Sequence, residues 1–430
     1  MTVPRPRALR TAALGAVSTL AVLALAACDG GSPTPSSVTT SEADVTPTTT
    51  RTPAPNATPT ATTSPAATPT PPVTKPPATK PPSTAPSTRP LAGMSLDQKV
   101  GQLFMVGATA TGPEPATGTA ISRYHVGNVI LVGRSQLGVT RTRAIADALQ
   151  RRATSSATHG LPLFVGVDQE GGNIQVLRGP GFATMPTALT QGKSSPSALR
   201  RDAATWGAEL ARAGVNLNLS PVMDTVPSPA DNASNAPVGY WHRQFGYTPA
   251  TVSSHGVAFL RGMHDADVAT TIKHFPGLGR VQGNTDFTSG VKDTVTTADD
   301  PYLAPFEAGI AAGTEAVMTS TAIYTRIDPH DPGAFSRTVV TGLLRGKLGF
   351  DGVVITDDVS SAKQVAAWSP GQRAVKAIAA GNDIVLAGRP EQIPAMTAAV
   401  IARAKADPAF AQQVDASATR VVTAKSHLAG

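Results

Sequence analysis

Three features of the chain predict an α/β fold whose parallel sheet closes into a (β/α)8 TIM barrel. Short apolar runs recur eight times after residue 90, longer helix-like stretches separate them, and charged residues cluster just beyond several of the runs. The runs fall at residues 103–106, 128–132, 163–167, 215–219, 268–272, 316–318, 352–355 and 383–386. The stretches between them include "SALRRDAATWGAELARAG", "TVSSHGVAFLRGMHDAD" and "GQRAVKAIAAGN", each with apolar residues at helical spacing. An open doubly wound sheet is the competing arrangement. It loses its best support because no G-x-G-x-x-G follows an early strand.

A barrel of this kind builds its active site from loops at the carboxyl ends of the strands. Asp168-Gln169-Glu170-Gly171-Gly172 follows the third run, and Asp224 comes shortly after the fourth. Lys273-His274 ends the fifth, and Thr356-Asp357-Asp358 ends the seventh. Carboxylates, a lysine and a histidine are therefore expected on one rim. Adjacent strand residues point to opposite faces, so only one of Lys273 and His274 reaches the pocket unless a bulge turns both inward. Asp358 reads as a cap or packing group, Glu170 as a tie between loops, and Asp224 as support beneath the pocket.

The first 90 residues are of another kind. Arg5, Arg7 and Arg10 precede an apolar stretch that ends at Cys28, the only cysteine of the chain. Residues 1–27 read as a signal peptide. Leu25-Ala26-Ala27-Cys28 resembles a bacterial lipobox, in which Cys28 becomes the lipidated first residue. A lone cysteine forms no internal disulfide. Residues 28–90 hold 16 of the 38 prolines among Thr, Ser and Ala. Such a segment buries too little apolar surface to fold and reads as a tether. Together these features predict an exported protein, lipid-anchored to the outer face of a bacterial membrane and reaching into the cell wall. Residues 91–430 then form the single catalytic domain. The net charge of +7 lies mostly in the signal and tether. With no basic-aromatic interleaving, nucleic acid is not an expected partner. No Cys/His/carboxylate spacing resembles a metal ligand set, so neither metal nor cofactor is expected. A monomer is.

The most specific stretch is "KHFPGLGRVQGNTD", residues 273–286. Together with "MSLDQKVGQLFMVG", "VDQEGGNIQVLRG", "NLNLSPVMDTV" and "GFDGVVITDDVS", it resembles glycoside hydrolase family 3. The resemblance is to the single-domain branch of bacterial β-N-acetylglucosaminidases and covers nearly all of residues 91–430. It implies a retaining exo-enzyme whose nucleophile is Asp357, working through a covalent glycosyl-aspartate intermediate. Asp168, Lys273, His274 and Arg243 in "GYWHRQFG" would bind the non-reducing sugar, and Lys273 beside the nucleophile would favour its ionised form. The substrate class implied is a glycan or muropeptide ending in β-linked N-acetylglucosamine.

Two departures from that pattern matter. Where the branch has a histidine as acid/base on the loop after "KHFPG", this chain has Asp286, and no histidine occurs between His274 and His330. Asp286 is read as the proton donor; a solvated loop acid, or donation from His242 or His330, are the other readings. The arginine expected shortly after "DQEGG" is Val176, with Arg178 two residues on. The functional alternatives are a β-glucosidase or other β-hexosaminidase on the same barrel, and a sugar-binding lipoprotein with a degenerate catalytic loop.

Overall fold

The computed structural model describes residues 89–428, so the signal segment, Cys28 and nearly all of the tether lie outside the described residues. Eight parallel strands form one sheet: β1 Phe104–Thr109, β2 Asn128–Val132, β3 Phe164–Val167, β4 Leu217–Asn218, β5 Ala269–Phe275, β6 Ala316–Thr319, β7 Val353–Thr356 and β8 Val385–Ala387. Each pairs with its sequence neighbour. β1 pairs with β8, and an Ile355–Ile384 bridge brings β7 against β8, so the sheet closes as the (β/α)8 pattern predicts.

The helices begin where cap chemistry allows. Ser195, Thr248 and Ser369 each accept a backbone N–H three residues on and are followed by proline, starting Pro196–Arg212, Pro249–His264 and Pro370–Ala380. Met105, Ile130, Phe164, Leu217, Met318, Ile355 and Leu386 pack together as one buried cluster, and Ile130, Met318 and Leu386 also line the main cavity. Their alternation with residues such as Phe104 and Val106, which pack in the helix-facing core, is the period-2 signature of a strand.

Two strands depart from the expected lengths. β4 keeps only two residues of the expected five because asparagine side chains replace ladder bonds. Asn216 Oδ1 accepts from Val165 N (2.7 Å), and Asn218 Oδ1 accepts from Gln169 N (3.1 Å). β5 instead runs three residues further than expected, carrying Lys273 and His274 inside the strand rather than beyond it.

The carboxyl-terminal helix Pro408–Leu428 reaches the opposite end of the barrel. There the buried Lys425 Nζ donates to Gln102 Oε1 and Gly127 O, both at 2.7 Å and just ahead of β1 and β2. Burial without a carboxylate pushes its pKa from 10.5 down to about 7. Between those two values the unfolded chain binds the proton that the fold rejects, so stability rises with pH and the penalty is complete below about 7. Thermal unfolding should therefore show Tm rising from pH 7.5 to 9.5 more steeply in the wild type than in Lys425→Met. Equal slopes would mean that Lys425 stays charged in the fold.

Candidate active site

A cavity of about 530 Å³ opens at the carboxyl ends of the strands. It is lined by Asp168 after β3, Arg243 from the loop after β4, Lys273 and His274 of β5, Asp286 from the loop after β5, and Asp357 and Asp358 after β7. All six residues assigned from the sequence to catalysis or sugar binding thus meet in one place. Cys28, the remaining assigned position, lies outside the described residues.

The floor is a network of opposite charges. Lys273 Nζ lies 2.6 Å from both Asp168 Oδ1 and Glu170 Oε1. Arg243 grips Glu170 with both arms of its guanidinium: Nε donates to Oε2 at 2.8 Å and Nη2 to Oε1 at 2.7 Å. Burial works to raise the pKa of Glu170, but Arg243 and then Lys273 outweigh it and hold the carboxyl at about 2. Burial likewise opposes the charge on Lys273, and Asp168 and Glu170 outweigh it, so this ammonium stays protonated. Glu170 is therefore the counter-ion of both pocket cations, a larger role than the loop tie expected of it. Gly171, at φ 109, makes the turn behind it possible, since a Cβ there would lie 2.1 Å from Pro186 O. Glu170→Gln leaves buried positive charge unpaired and is expected to cost ~3–5 kcal/mol. Denaturant unfolding measures this; an unchanged midpoint would show that solvent screens the pair.

At Lys273 and His274 one open alternative is decided and one expectation is corrected. Strand alternation does not separate them, because the irregularity the sequence reading allowed for is present: the register against β6 shifts between Ile272 and Phe275, and both side chains line the cavity. The bonding partners of Lys273 are Asp168 and Glu170, not Asp357, so its ammonium organises the Asp168 carboxylate rather than that of Asp357. His274 Nδ1–H donates to the fully buried Asp224 at 2.7 Å, which leaves Nε2 towards Arg243 Nη2 at 3.4 Å. Asp224 also accepts from the backbone N–H of His274 and of Leu278. It supports the pocket from below, as read from the sequence.

The two remaining carboxyls differ in surroundings. Asp357 accepts one backbone bond, from Asp358 N at 2.9 Å, and is otherwise open to the cavity. Asp358 accepts from Ser360 N, Ser360 Oγ and Gly388 N, so it pins the loop. Asp286 stands on an exposed loop with its carboxyl in the cavity wall. Partial burial of that carboxyl, then the charge of Asp357 and more weakly of Asp358, outweighs the pull of Arg243 and His274 and pushes its pKa up to about 6. The loop is clasped to the segment after β7. Lys363 N donates to Asp286 O, Gln364 N to Thr285 O, and the Gln364 side chain pairs with both backbone groups of Val291.

Arg134, Trp241 and Phe287 are among the lining residues that sequence reasoning missed. Arg134, from the loop after β2, donates to Asn173 O at 2.7 Å at the edge where an arginine after "DQEGG" was looked for, while Arg178 turns to Gly172 O outside the cavity. Trp241 and Phe287 also line the mouth. Nothing in the pattern marks them, because an aromatic residue in a loop reads equally well as core.

Residues 95–424 match the family model described as the glycosyl hydrolase family 3 N terminal domain. The chain belongs to glycoside hydrolase family 3. It is therefore a glycoside hydrolase, on the barrel fold that the strand pattern predicts. A crystal structure of a β-N-acetylhexosaminidase from Beutenbergia cavernae DSM 12333 is 59% identical, covering 78% of this chain and 99% of that one with a TM-score of 0.77. A family 3 β-N-acetylglucosaminidase from Paenibacillus sp. str. FPU-7 is 31% identical over 78% of this chain and 63% of its own, with a TM-score of 0.71. Among curated relatives, a beta-hexosaminidase of Xanthomonas euvesicatoria pv. vesicatoria (strain 85-10) is 30% identical over 311 residues, 70% of this chain and 88% of the relative.

Proposed function

We propose that this family 3 hydrolase is a retaining exo-β-N-acetylglucosaminidase. The observation that carries the reading is the sharing of one cavity by Asp357 and by Asp286, whose proton affinity is raised by burial and by the charge of Asp357. A glycosidase of this kind needs one carboxylate to attack and one carboxylic acid to donate. The Asp357 carboxylate attacks C1 as Asp286 protonates the departing oxygen, giving a glycosyl ester and a free leaving group. The Asp286 carboxylate then takes a proton from water, which attacks C1 and releases the sugar with its configuration retained. Asp168, Lys273, Arg243 and His274 hold hydroxyls of the terminal sugar in a charged, mutually fixed array.

Specificity for N-acetylglucosamine is supported by the relatives named for that activity. A cell-wall muropeptide as the source is supported by Arg134, which lines the mouth, donates to the Asn173 carbonyl and suits an acidic leaving group. Export and lipid anchoring at Cys28, with a monomeric domain beyond the tether, complete the proposal on sequence grounds alone. Loss of lipid labelling in Cys28→Ala would support the anchor. The decisive experiment compares aryl β-N-acetylglucosaminide with aryl β-glucoside and follows the product anomer by NMR. Preferred turnover of the first with β product supports the reading. Faster glucoside turnover would make the chain a β-glucosidase, and binding without turnover of either would favour the degenerate binder.

A further inference from the structure

Asp286, read as the proton donor, stands on the part of its loop that the rest of the protein holds least. The loop after β5 is pinned on either side of its tip. On the near side Asn235 Nδ2 donates to Leu278 O at 2.8 Å and to Val281 O at 2.7 Å. On the far side Lys292–Asp293 pairs with Ile323–Tyr324. The two sides meet at a neck where Gly283 packs on Val291, since a Cβ on Gly283 would lie 2.8 Å from Val291 Cγ2. Residues 284–290 project from this neck, and residues 286–290 are exposed. Asn284 folds the tip on itself: its Oδ1 accepts from Asp286 N at 2.8 Å and its O from Thr288 N at 2.9 Å. Among the described residues, the hydrogen bonds that fasten the tip to other parts of the chain come from one turn, Lys363–Val365. Lys363 N donates to Asp286 O at 3.1 Å and Gln364 N to Thr285 O at 3.0 Å.

That turn belongs to the loop of Asp357, the residue read as the nucleophile. Its base is firm: Arg373 Nη1 donates to Val359 O at 2.8 Å, and Val359 and Val365 are buried in the core. Gln364 is buried as well, and its amide grips the neck of the other loop. Oε1 accepts from Val291 N at 2.9 Å while Nε2 donates to Val291 O at 3.0 Å. A side-chain amide offers an acceptor and a donor side by side, so Gln364 bonds Val291 much as a neighbouring strand would. An aspartate side chain is short, so the backbone beneath Asp286 decides where its carboxyl stands. Catalysis by two carboxyl groups needs a fixed separation between them, and a misplacement of about 1 Å costs on the order of 10²-fold. We propose that Gln364 is a positioning residue for glycoside cleavage: it ties the loop of Asp286 to the loop of Asp357 and so sets the spacing of acid and nucleophile. The inference rests on the hydrolase reading above and adds to it the side chain that links the two carboxyl groups.

The test compares kcat/KM of the full-length chain for methyl and for dinitrophenyl β-N-acetylglucosaminide. The first has a leaving group that needs a proton, the second one that does not. Wild type, Gln364→Ala, Gln364→Glu, Asp286→Asn and the double variant combining Gln364→Ala with Asp286→Asn are assayed alongside thermal unfolding. Gln364→Ala should lose about 10²-fold on the methyl glycoside and far less on the dinitrophenyl one. Added to Asp286→Asn it should cost nothing further on the methyl glycoside, because a residue acting through Asp286 then has nothing left to position. Gln364→Glu keeps the bond from Val291 N but sets a carboxylate against Val291 O. It should show the same split, and it carries the comparison where the alanine chain does not fold. Equal losses on both substrates, an additive loss in the double variant, no loss, or failure of both single variants to fold overturns the positioning role. If Asp286→Asn shows the split and Gln364→Ala does not, that role alone falls. If Asp286→Asn shows no split, the acid has been misread and the role of Gln364 falls with it.

Discussion

Asp357→Asn is expected to lower turnover by ~10⁴-fold or more, the scale seen when an attacking group is removed from an otherwise intact site. The fold should hardly notice. The Asp357 carboxylate accepts a single bond, from Asp358 N, which an asparagine oxygen also accepts. Its neighbour Asp358 carries three loop bonds, so the two aspartates separate chemistry from architecture one residue apart. Tm of the Asp357→Asn chain should lie within a few degrees of wild type, while glycoside hydrolysis disappears for good and poor leaving groups alike. With wild type, a slow fluorinated N-acetylglucosaminide should leave a sugar-sized mass adduct on the peptide containing Asp357. An adduct on Asp358, or full activity in the asparagine variant, would reassign the nucleophile.

The strands were legible because each is a short apolar run and several are followed at once by glycine or a charged residue, and closure into a barrel follows from their number and their helical spacers. Two failures have a local cause. β4 reads as five residues, yet Asn216 and Asn218 satisfy by side chain what the ladder satisfies elsewhere. The Lys273–His274 pair breaks strand alternation through a register shift that no residue type announces. The site was legible as a set of residues but not as a network. Glu170 and Arg243 lie 73 residues apart in sequence, so the ion pair through which Glu170 balances both cations exists only once two loops converge. The same holds for Arg134, which arrives from β2 to an edge where the pattern of β3 was searched. Exposure of Trp241 and Phe287 is likewise a property of the closed barrel and not of the sequence.

Asp286→Asn is expected to slow cleavage of substrates with poor leaving groups by ~10²–10⁴-fold, the usual worth of general acid catalysis. Activated aryl glycosides, whose leaving oxygen needs little proton, should lose far less in the first step. The pH profile gives the sharper reading. A carboxyl held up at about 6 donates only while protonated, so wild-type kcat/KM on a disaccharide should decline above about pH 6, and the variant should lack that limb. Linkage gives an independent check. The folded pKa is raised from 3.8 to about 6, so the stability tied to this proton is fully present below 3.8 and lost as pH rises through 6. At pH 7.5 the wild type therefore holds a charge its surroundings disfavour, and Asp286→Asn should unfold at a higher temperature than wild type, with the gap closing near pH 3.5. A variant less active yet more stable is what a group kept for catalysis produces. A merely solvated loop acid would move neither the limb nor the Tm difference, and the proton would then have to come from another side chain.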